Sequence, residues 1–316
     1  MVPRTYSRRS LLRLTGLAGV GAVTGCLDGR ASGGSGTTEP VSILAAGSLQ
    51  HALETGLDPS VEVPIRVEAH GSATVARMVA EGQRDPDIVT VADTALFDEP
   101  LSPPWYAEFA SNALVLAYNA DTEGGSRLAE AGPQQWYEPL VEGTVSLGRS
   151  DPDQDPLGYR SLFMLELASR YYDEAPNLRT AIPQREQIYP ETSLLSQLET
   201  GSIDAALVYR NMAQERDYDY RTLPTEIDFS DPEYTADWYS TVSYELPSGQ
   251  VVRGGPITYA STIRTQSAAT RAVFDAHTTG TYLTDAGFGT DSSLPRYEGD
   301  VPSAVTESSA GTIGTA

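Results

Sequence analysis

The sequence predicts an α/β fold that is divided between two lobes. From Val41 onward, strand-like runs alternate with helical ones, and this alternation favours an α/β architecture. The folded part is roughly 275 residues long, which is more than a single hydrophobic core usually holds, so two lobes are expected. The predicted strands are Val41–Ala46, Val61–Glu68, Ile88–Val91, Ala113–Tyr118, Thr144–Leu147, Ala205–Tyr209 and Pro256–Thr262.

Helical patterns fill several of the intervals between these strands. Two of them are followed by Gly82 and Gly201, and glycine is common just beyond the C-terminus of a helix. No internal repeat or heptad pattern is present in the sequence, so neither a repeat fold nor a coiled coil is predicted. The predicted helices are Ser72–Glu81, Leu157–Tyr172, Glu191–Thr200, Ser267–Thr278 and Thr281–Ala286.

The N-terminal segment has the features of an export signal. Residues 1–25 contain an arginine pair followed by small apolar residues, a stretch too short to span a bilayer, and they resemble a twin-arginine signal. Val23–Cys26 resembles a lipoprotein processing box, so we expect Cys26, the only cysteine, to carry lipid. Residues 26–40 are rich in Gly, Ser and Thr and predict a flexible tether, and residues 302–316 predict a disordered tail.

The charge of the chain is strongly acidic. The formal net charge is −22, and all 21 basic residues are arginine. This field has the wrong sign for phosphate backbones, so nucleic acid is not expected as a partner. Because salt at about 1 M shortens the screening length to roughly 3 Å, an acidic surface of this kind favours a halophilic protein.

Two Gly-Ser turns follow the first two predicted strands. Gly47-Ser48 and Gly71-Ser72 each stand between a strand and a helical pattern. Such a turn presents backbone N–H groups, a hydroxyl and the positive end of a helix dipole, and together these predict an anion site. The carboxyl ends of neighbouring strands open into one crevice, so the two turns are expected to lie together. Alternatively, each serine is an ordinary N-cap.

Two acidic residues stand at predicted helix starts in the second half of the chain. Asp155 is the expected N-cap of a helix with Pro156 in its first turn, and Glu191 lies in the first turn of a shorter helix. Tyr209 ends the strand that follows. Taken singly, each of these residues is an ordinary structural feature.

Taken together, these segments resemble the archaeal-type molybdate and tungstate binding proteins of ABC importers, with a haloarchaeal character. The resemblance extends from Val41 to about Tyr297 and is most specific where DPLGYRS is joined to ETGSID and the following YR. It implies a two-lobed periplasmic-binding-protein type II fold with a ligand cleft between the lobes and a two-segment hinge. The segments that carry it are, in order, AGSL, HGS, DPDQDPLGYR, the proline-led helix at Glu191, ETGSIDAALVYR and VVRGGPITYASTI.

The resemblance also implies lobe boundaries and ligand residues. Lobe 1 would comprise residues 41–117 and 257–301, and lobe 2 residues 118–256. The chain would cross near Tyr118-Asn119 and Gly254–Pro256. The implied oxyanion-binding residues are Gly47, Ser48, Gly71, Ser72, Asp155, Pro156, Leu157, Glu191 and Tyr209.

In this family resemblance, Asp155 and Glu191 are inner-sphere ligands of the molybdenum or tungsten centre. The serine hydroxyls, nearby amides and the Tyr209 phenol would donate hydrogen bonds to the oxo groups. A site in which one carboxyl group is protonated and donates a hydrogen bond is an alternative, and its affinity would fall as pH rises. Sulfate, phosphate or another anion bound by the same fold is a further alternative.

An enzyme is not predicted. The only histidines are His51, His70 and His277, and the sequence has no HExxH or GxSxG motif and no Cys–His pair. His51 and His70 stand close to the two serines, which keeps a hydrolase as an alternative. Tyr171-Tyr172 resembles the tyrosine pairs of iron sites, although adjacent residues in a helix face different sides. Zinc would require clustered histidines.

The predicted function is therefore that of a lipid-anchored, extracellular solute-binding protein. It would capture tungstate or molybdate, use no cofactor, act as a monomer and deliver the ion to an ABC transporter permease. Its contact with the membrane would be through the lipid at Cys26 alone.

Overall fold

The computed structural model of the chain describes residues 39–183 and 188–305. The predicted export signal, Cys26, most of the tether and the last eleven residues lie outside this part of the chain. The predicted tail begins too early, because residues 303–305 are helical and Val305 is buried.

Thirteen strands form two main sheets and one hairpin in the described residues. Numbered along the chain, they are β1 Val41–Ala46, β2 Ile65–His70, β3 Ile88–Val91, β4 Trp105–Ser111, β5 Leu114–Tyr118, β6 Leu147–Ser150, β7 Ile188–Tyr189, β8 Ala205–Tyr209, β9 Asp219–Thr222, β10 Ser243–Glu245, β11 Val251–Arg253, β12 Thr258–Ile263 and β13 Arg296–Gly299.

Helices cover the sheets and connect their strands. They are α1 Gln50–Ala52, α2 Ser72–Ala80, α3 Glu123–Glu130, α4 Glu138–Val141, α5 Pro156–Tyr171, α6 Leu178–Ala181, α7 Glu191–Glu199, α8 Arg210–Gln214, α9 Thr225–Asp228, α10 Ala268–Thr279 and α11 Tyr282–Asp285. Short 3₁₀ or π-helical turns cover Gly47–Leu49, Leu53–Leu57, Asp58–Ser60, Phe97–Leu101, Pro232–Tyr234 and Tyr239–Thr241. This composition of mixed sheets and covering helices confirms the predicted α/β class.

The first sheet has six strands in the order β13-β4-β12-β3-β1-β2. Its strand β1 runs parallel to β2 and β3, whereas β12 is antiparallel to both β3 and β4. The parallel half therefore sends the carboxyl ends of β1, β2 and β3 to one edge, and the two Gly-Ser turns begin at this edge.

The second sheet has five strands in the order β7-β6-β8-β5-β9. Its strand β6 runs parallel to β7 and β8, and α5 follows β6. Helix α5 is apolar on almost every side and most of it is buried, including Leu157, Phe163 and Met164, so it forms the centre of this lobe. The carboxyl ends of β6, β7 and β8 carry the remaining predicted site residues.

The chain changes sheet at a different place from the one predicted. Strand β5 pairs with β8 and β9, so it belongs to the second sheet, and the crossing is at Asn112-Ala113 rather than at Tyr118-Asn119. The cause is the apolar run Leu114–Tyr118, which fits the interior of the second sheet. The chain returns to the first sheet between β11 and β12, through residues 254–257.

Candidate functional site

The predicted site residues meet where the carboxyl ends of strands from the two sheets face each other. Ser48 follows β1 and Ser72 follows β2, whereas Asp155 follows β6, Glu191 follows β7 and Tyr209 ends β8. All five are buried, and the most exposed of them, Glu191, is only 4% exposed. Both lobes therefore contribute polar groups to one enclosed site.

The serines are not N-caps, so this alternative is wrong. The residues in the N-cap positions are Ala46 and Gly71, and in the described chain neither turn has a side-chain capping bond. The Ser48 hydroxyl instead lies 2.9 Å from the phenol oxygen of Tyr259, and the Ser72 hydroxyl accepts a hydrogen bond of 3.0 Å from the Ala92 amide. Both hydroxyls are held by tertiary contacts.

The two glycines allow the lobes to touch. A Cβ atom on Gly47 would lie 2.5 Å from Oε2 of Glu191, and one on Gly71 would lie 2.8 Å from Cβ of Asp155 and collide with the Gln154 carbonyl. The Thr74 amide donates a 3.1 Å hydrogen bond to this carbonyl across the cleft. The structure therefore has the cleft closed, and glycine is required at both turns because of the close approach.

Asp155 is both a helix cap and an unsatisfied carboxylate. Its Oδ1 accepts a 3.1 Å hydrogen bond from the Leu157 amide, with Pro156 at the first helical position, as the sequence predicts. Its Oδ2 is buried and has no hydrogen-bond partner among the described residues. Burial raises the pKa of Asp155 to about 6, although the Leu157 amide, Ser150 and Arg160 act in the opposite direction.

Glu191 is the least satisfied polar side chain of the site. Both of its carboxylate oxygens are buried, and neither has a hydrogen-bond partner in the part of the chain that the structure describes. Burial raises the pKa of Glu191 well above its ordinary value, and the nearby charge of Asp155 raises it further. The Ser48 hydroxyl and the Gly47 and Ser48 amides lower the pKa in part, but none of them completes a hydrogen bond.

Arg160, which is not among the predicted site residues, supports Tyr209. The Nη1 group of Arg160 donates to the phenol oxygen of Tyr209 over 2.8 Å and to the Ala92 carbonyl over 2.6 Å, and Nη2 lies 3.1 Å from Oδ2 of Asp93. The phenol of Tyr159 donates to the same Asp93 oxygen over 2.6 Å. Its sequence signal is its place in the DPLGYRS motif, three residues after Leu157.

The surroundings of Arg160 and Tyr209 fix their charge states. Burial alone would lower the pKa of Arg160, but Tyr209 and Asp93 outweigh it and the pKa is raised, so the guanidinium is cationic. Burial raises the pKa of Tyr209 well above its ordinary value, which keeps the phenol neutral and able to donate a proton. No hydrogen bond donated by the Tyr209 phenol is present among the described residues.

Two cavities border Glu191. One has a volume of about 280 Å³ and is lined by His70, Gly71, Thr74, Asp151, Gln154, Asp155, Ile188, Tyr189, Pro190, Glu191 and Thr192. The other has a volume of about 140 Å³ and is lined by Gly47, Ser48, Gln50, His51, Glu54, Glu191, Thr192, Leu195, Met212, Glu215 and Arg216. A larger cavity of about 550 Å³, beside Trp105 and Arg264, includes none of the predicted site residues.

The residues of the alternative functions do not assemble into sites. Among the described residues neither His51 nor His70 hydrogen-bonds to Ser48 or Ser72, whose hydroxyls contact Tyr259 and Ala92 instead. His70 contacts Glu68 over 3.0 Å, and His277 is buried against Thr90 and Tyr282. Tyr171 and Tyr172 pack against each other, and the Tyr172 phenol accepts a hydrogen bond from Trp136. Within residues 39–183 and 188–305, no group of three or more His, Cys, Asp or Glu side chains could hold a metal ion.

None of the helices in the described residues combines the length and the apolar character needed to cross a bilayer.

The chain is similar to known solute-binding proteins over most of its length. The family described as bacterial extracellular solute-binding protein matches residues 34–276. A candidate ABC transporter molybdenum-binding protein of Haloferax volcanii is 55% identical over 302 residues, which are 94% of this chain and 96% of that protein. The molybdate/tungstate-binding protein WtpA of Pyrococcus abyssi is 31% identical over 288 residues, which are 80% of this chain and 83% of that protein.

A solved structure supports the fold. The periplasmic molybdate-binding protein of Azotobacter vinelandii aligns with a TM-score of 0.52 and 14% sequence identity, covering 79% of this chain and 99% of that one. These findings confirm the two-lobed type II fold and the resemblance inferred from the motifs. The family consists of transport proteins rather than enzymes, which confirms the prediction that this chain is not an enzyme. The chain belongs to the family of bacterial extracellular solute-binding proteins.

Proposed function

We propose that this protein captures tungstate or molybdate in the cleft between its lobes and delivers the ion to an ABC transporter permease. In this proposal the protein is a monomer, anchored to the outer face of the cell membrane by lipid on Cys26. The lipid anchor rests on the sequence features at residues 1–26, and the preference for concentrated salt rests on the acidic charge.

The observation that carries the proposal is the unsatisfied acid pair, Asp155 and Glu191. Three carboxylate oxygens, Oδ2 of Asp155 and both oxygens of Glu191, are buried without partners among the described residues. An unpaired buried polar group costs about 1–3 kcal/mol, and more when it is charged. A protein retains such a pair where a ligand supplies the missing interaction, and here the ligand must accept oxygen donors.

The charge of the acid pair argues against a simple anion site. At about 4 Å, two unit charges repel by roughly 4 kcal/mol at an effective dielectric constant of 20, so carboxylates facing a dianion need an offsetting bond. Hexavalent molybdenum and tungsten are large, hard centres that can add oxygen ligands, and Asp155 and Glu191 would be those ligands. The sulfur of sulfate cannot expand its coordination in this way. The acid pair therefore favours molybdate and tungstate over sulfate.

Both lobes supply donors for the oxo groups. Ser48, Ser72 and the neighbouring amides come from the first lobe, and the neutral phenol of Tyr209 comes from the second. A ligand that contacts both lobes stabilises the closed arrangement, which the permease would recognise. The relatives from Haloferax volcanii and Pyrococcus abyssi, whose names specify molybdenum or molybdate and tungstate, support the same ligand class.

Calorimetric titration in high salt tests this proposal. Wild-type protein is titrated with tungstate, molybdate, sulfate and phosphate, and the titrations are repeated with the double variant Asp155→Ala, Glu191→Ala. We expect tight binding of tungstate and molybdate by the wild type, with a loss of at least 100-fold in the double variant. Binding of sulfate as tight as tungstate, or unchanged tungstate affinity in the double variant, would contradict inner-sphere coordination.

A further inference from the structure

A buried cluster of polar side chains lies where the chain passes between the two sheets. We call Asn112, Asn211 and Tyr259 the hinge cluster. Asn112 lies between β4 and β5, Asn211 lies in α8 just after β8, and Tyr259 lies in β12 just after the chain returns to the first sheet. All three are almost fully buried, so each of their polar atoms needs a specific partner.

The direction of the hydrogen bonds in the hinge cluster is fixed by the backbone. Oδ1 of Asn112 accepts a 2.9 Å hydrogen bond from the Ala113 amide, which leaves Nδ2 as the outward-facing donor. This Nδ2 donates to Oδ1 of Asn211 over 2.8 Å and to the phenol oxygen of Tyr259 over 3.4 Å. An amide nitrogen cannot accept a hydrogen bond, so Tyr259 is the acceptor in this contact.

The proton of the Tyr259 phenol is therefore available to Ser48. The Tyr259 phenol lies 2.9 Å from Oγ of Ser48 and makes no other side-chain hydrogen bond as a donor among the described residues. When Tyr259 donates to Oγ, the proton of the Ser48 hydroxyl is left for a different acceptor. Asn211 also donates to the backbone carbonyl of Ser48 over 2.8 Å, so the hinge cluster holds both the main chain and the side chain of this residue.

The acceptor that faces the Ser48 hydroxyl lies in the cleft. Glu191 borders the same cavity as Ser48, and the Ser48 hydroxyl lowers the pKa of the Glu191 carboxyl group. A bound oxyanion would occupy the position between them. We propose that Tyr259 is a positioning residue, oriented by Asn112, that makes the Ser48 hydroxyl a donor to the bound oxyanion.

This inference rests on the proposed function, but it makes a separate claim. The alternative is that Tyr259 has a packing role alone, because its ring packs edge-on against Phe109, Tyr209 and Phe288. A Tyr259→Phe substitution keeps the ring and removes only the hydroxyl. The two readings therefore differ in what happens when the Ser48 hydroxyl is also absent.

A double-mutant cycle separates the two readings. The wild type, Ser48→Ala, Tyr259→Phe and the double variant are titrated with tungstate and, in parallel, with sulfate, after circular dichroism has shown that each is folded. A hydrogen bond to a charged group contributes on the order of 1.5–3 kcal/mol, so we expect each single variant to lose about tenfold or more in affinity. Because Tyr259 acts through Ser48, the double variant should lose no more than Ser48→Ala alone.

A matched control is Tyr282→Phe, which removes a buried phenol that contacts His277 away from the cleft. It should leave the affinity unchanged while lowering stability to an extent similar to Tyr259→Phe. Unchanged affinity in Tyr259→Phe, or losses that add in the double variant, would overturn the inference. A wild type that binds sulfate and not tungstate would refute the proposed ligand, and the cycle run with sulfate would still decide the role of Tyr259.

Discussion

Two regions of this protein bury carboxylates at the contact between the lobes. In one region the carboxylate has hydrogen-bond and ion-pair partners, and in the other most carboxylate oxygens have none among the described residues. Asp93, on the first lobe, accepts hydrogen bonds from the Tyr159 phenol and the Ala95 amide and forms an ion pair with Arg160. The acid pair Asp155 and Glu191 is more deeply buried, yet three of its four oxygens have no partner in the described chain. Burial alone therefore does not explain how the acid pair is tolerated.

The difference shows which of the two regions is structural. A buried ion pair with complementary hydrogen bonds is consistent with a stable closed form, and removing one partner of such a pair is expensive. The acid pair lacks any compensating cation of its own, since Arg160 is already engaged by Asp93, Tyr209 and the Ala92 carbonyl. The closed form without ligand should therefore be destabilised at the acid pair and stabilised at Asp93.

Exchanging each carboxylate for its amide gives the largest expected contrast. In the ligand-free protein at pH 8, Asp93→Asn should destabilise by about 3 kcal/mol, because it leaves the buried Arg160 guanidinium without its counter-charge. Glu191→Gln should instead stabilise by about 1 kcal/mol, because at pH 8 the buried Glu191 carboxyl group costs free energy either as a desolvated charge or through uptake of a proton, and the amide avoids both costs without losing a hydrogen bond. Thermal unfolding in high salt, followed by circular dichroism, measures both effects.

The same measurement reports on the state of the empty cleft. If the ligand-free protein keeps its lobes apart, all of these carboxylates are hydrated. Each substitution then behaves like a surface substitution and changes the free energy of unfolding by only a few tenths of a kcal/mol, which shifts the unfolding temperature by no more than about 1 °C. Equal destabilisation by both substitutions would contradict the contrast drawn between the two regions.

The acid pair also predicts the sign of a pH dependence. The pKa of Asp155 rises to about 6 and that of Glu191 rises well above its ordinary value, so the closed form binds protons more tightly than the unfolded chain does. The stabilisation is complete below the ordinary carboxyl pKa of about 4 and is lost as pH rises through each raised pKa, about 6 for Asp155, by about 1.4 kcal/mol for each unit of pKa shift. Ligand-free protein should therefore become less stable between pH 4 and 7.

The contribution of the acid pair is the difference in pH dependence of stability between the wild type and a variant without these two carboxyl groups. Burial raises the pKa of Glu215 to about 7, which contributes a slope of the same sign. The double variant Asp155→Asn, Glu191→Gln keeps that slope and lacks the contribution of the acid pair. Chemical denaturation at several pH values should show a flatter profile for the double variant, and identical profiles would mean that the acid pair is not buried without ligand.

Ligand binding should have the opposite pH dependence to stability. Carboxylates that coordinate a metal centre must be ionised, so tungstate binding would release protons, and its affinity would rise with pH above 6 until the pH exceeds the raised pKa values of the acid pair. Titration in buffers of different ionisation enthalpy measures the number of protons released. If one carboxyl group instead donates a hydrogen bond to the oxyanion, proton release is absent and the affinity falls over the same range.

The sequence predicts which candidate site residues lie together because these residues stand at local signals. Asp155 is a helix cap next to a proline, and Gly47-Ser48 follows strand β1, whose bounds are as predicted. Gly71-Ser72 follows β2, which begins four residues and ends two residues later than the predicted Val61–Glu68. The carboxyl ends of parallel strands share an edge, so these signals also predict that the residues lie together.

The contacts that organise the site were beyond the reach of local patterns. Asn112 donates hydrogen bonds to Asn211, which is 99 residues away in the chain, and to Tyr259, which is 147 residues away. Neither contact has a signature within a single segment of the sequence. Arg160 stands within the DPLGYRS motif, but its role depends on Ala92, Asp93 and Tyr209, which come from distant segments. Strand β4 was missed because both of its partners, β12 and β13, come from the end of the chain.

The smallest expected effect comes from the contact that brings the two lobes together beside the acid pair. Gly71→Ala places a methyl group against Cβ of Asp155 and the Gln154 carbonyl, so the cleft should fail to close completely. We expect tungstate affinity to fall by several-fold to about tenfold, since small misplacements weaken coordination without removing any ligand.

The matched control for this prediction is Gly255→Ala, in the segment where the chain returns to the first sheet. A Cβ atom on Gly255 would meet nothing within 4 Å, so this variant adds the same methyl group without a collision. It should bind tungstate like the wild type, and small-angle scattering with tungstate should show a larger radius of gyration for Gly71→Ala than for Gly255→Ala. Equal affinities and equal dimensions would mean that the Gly71 turn does not approach Asp155 in the bound state, and that closure brings the acid pair to the ligand by a different contact.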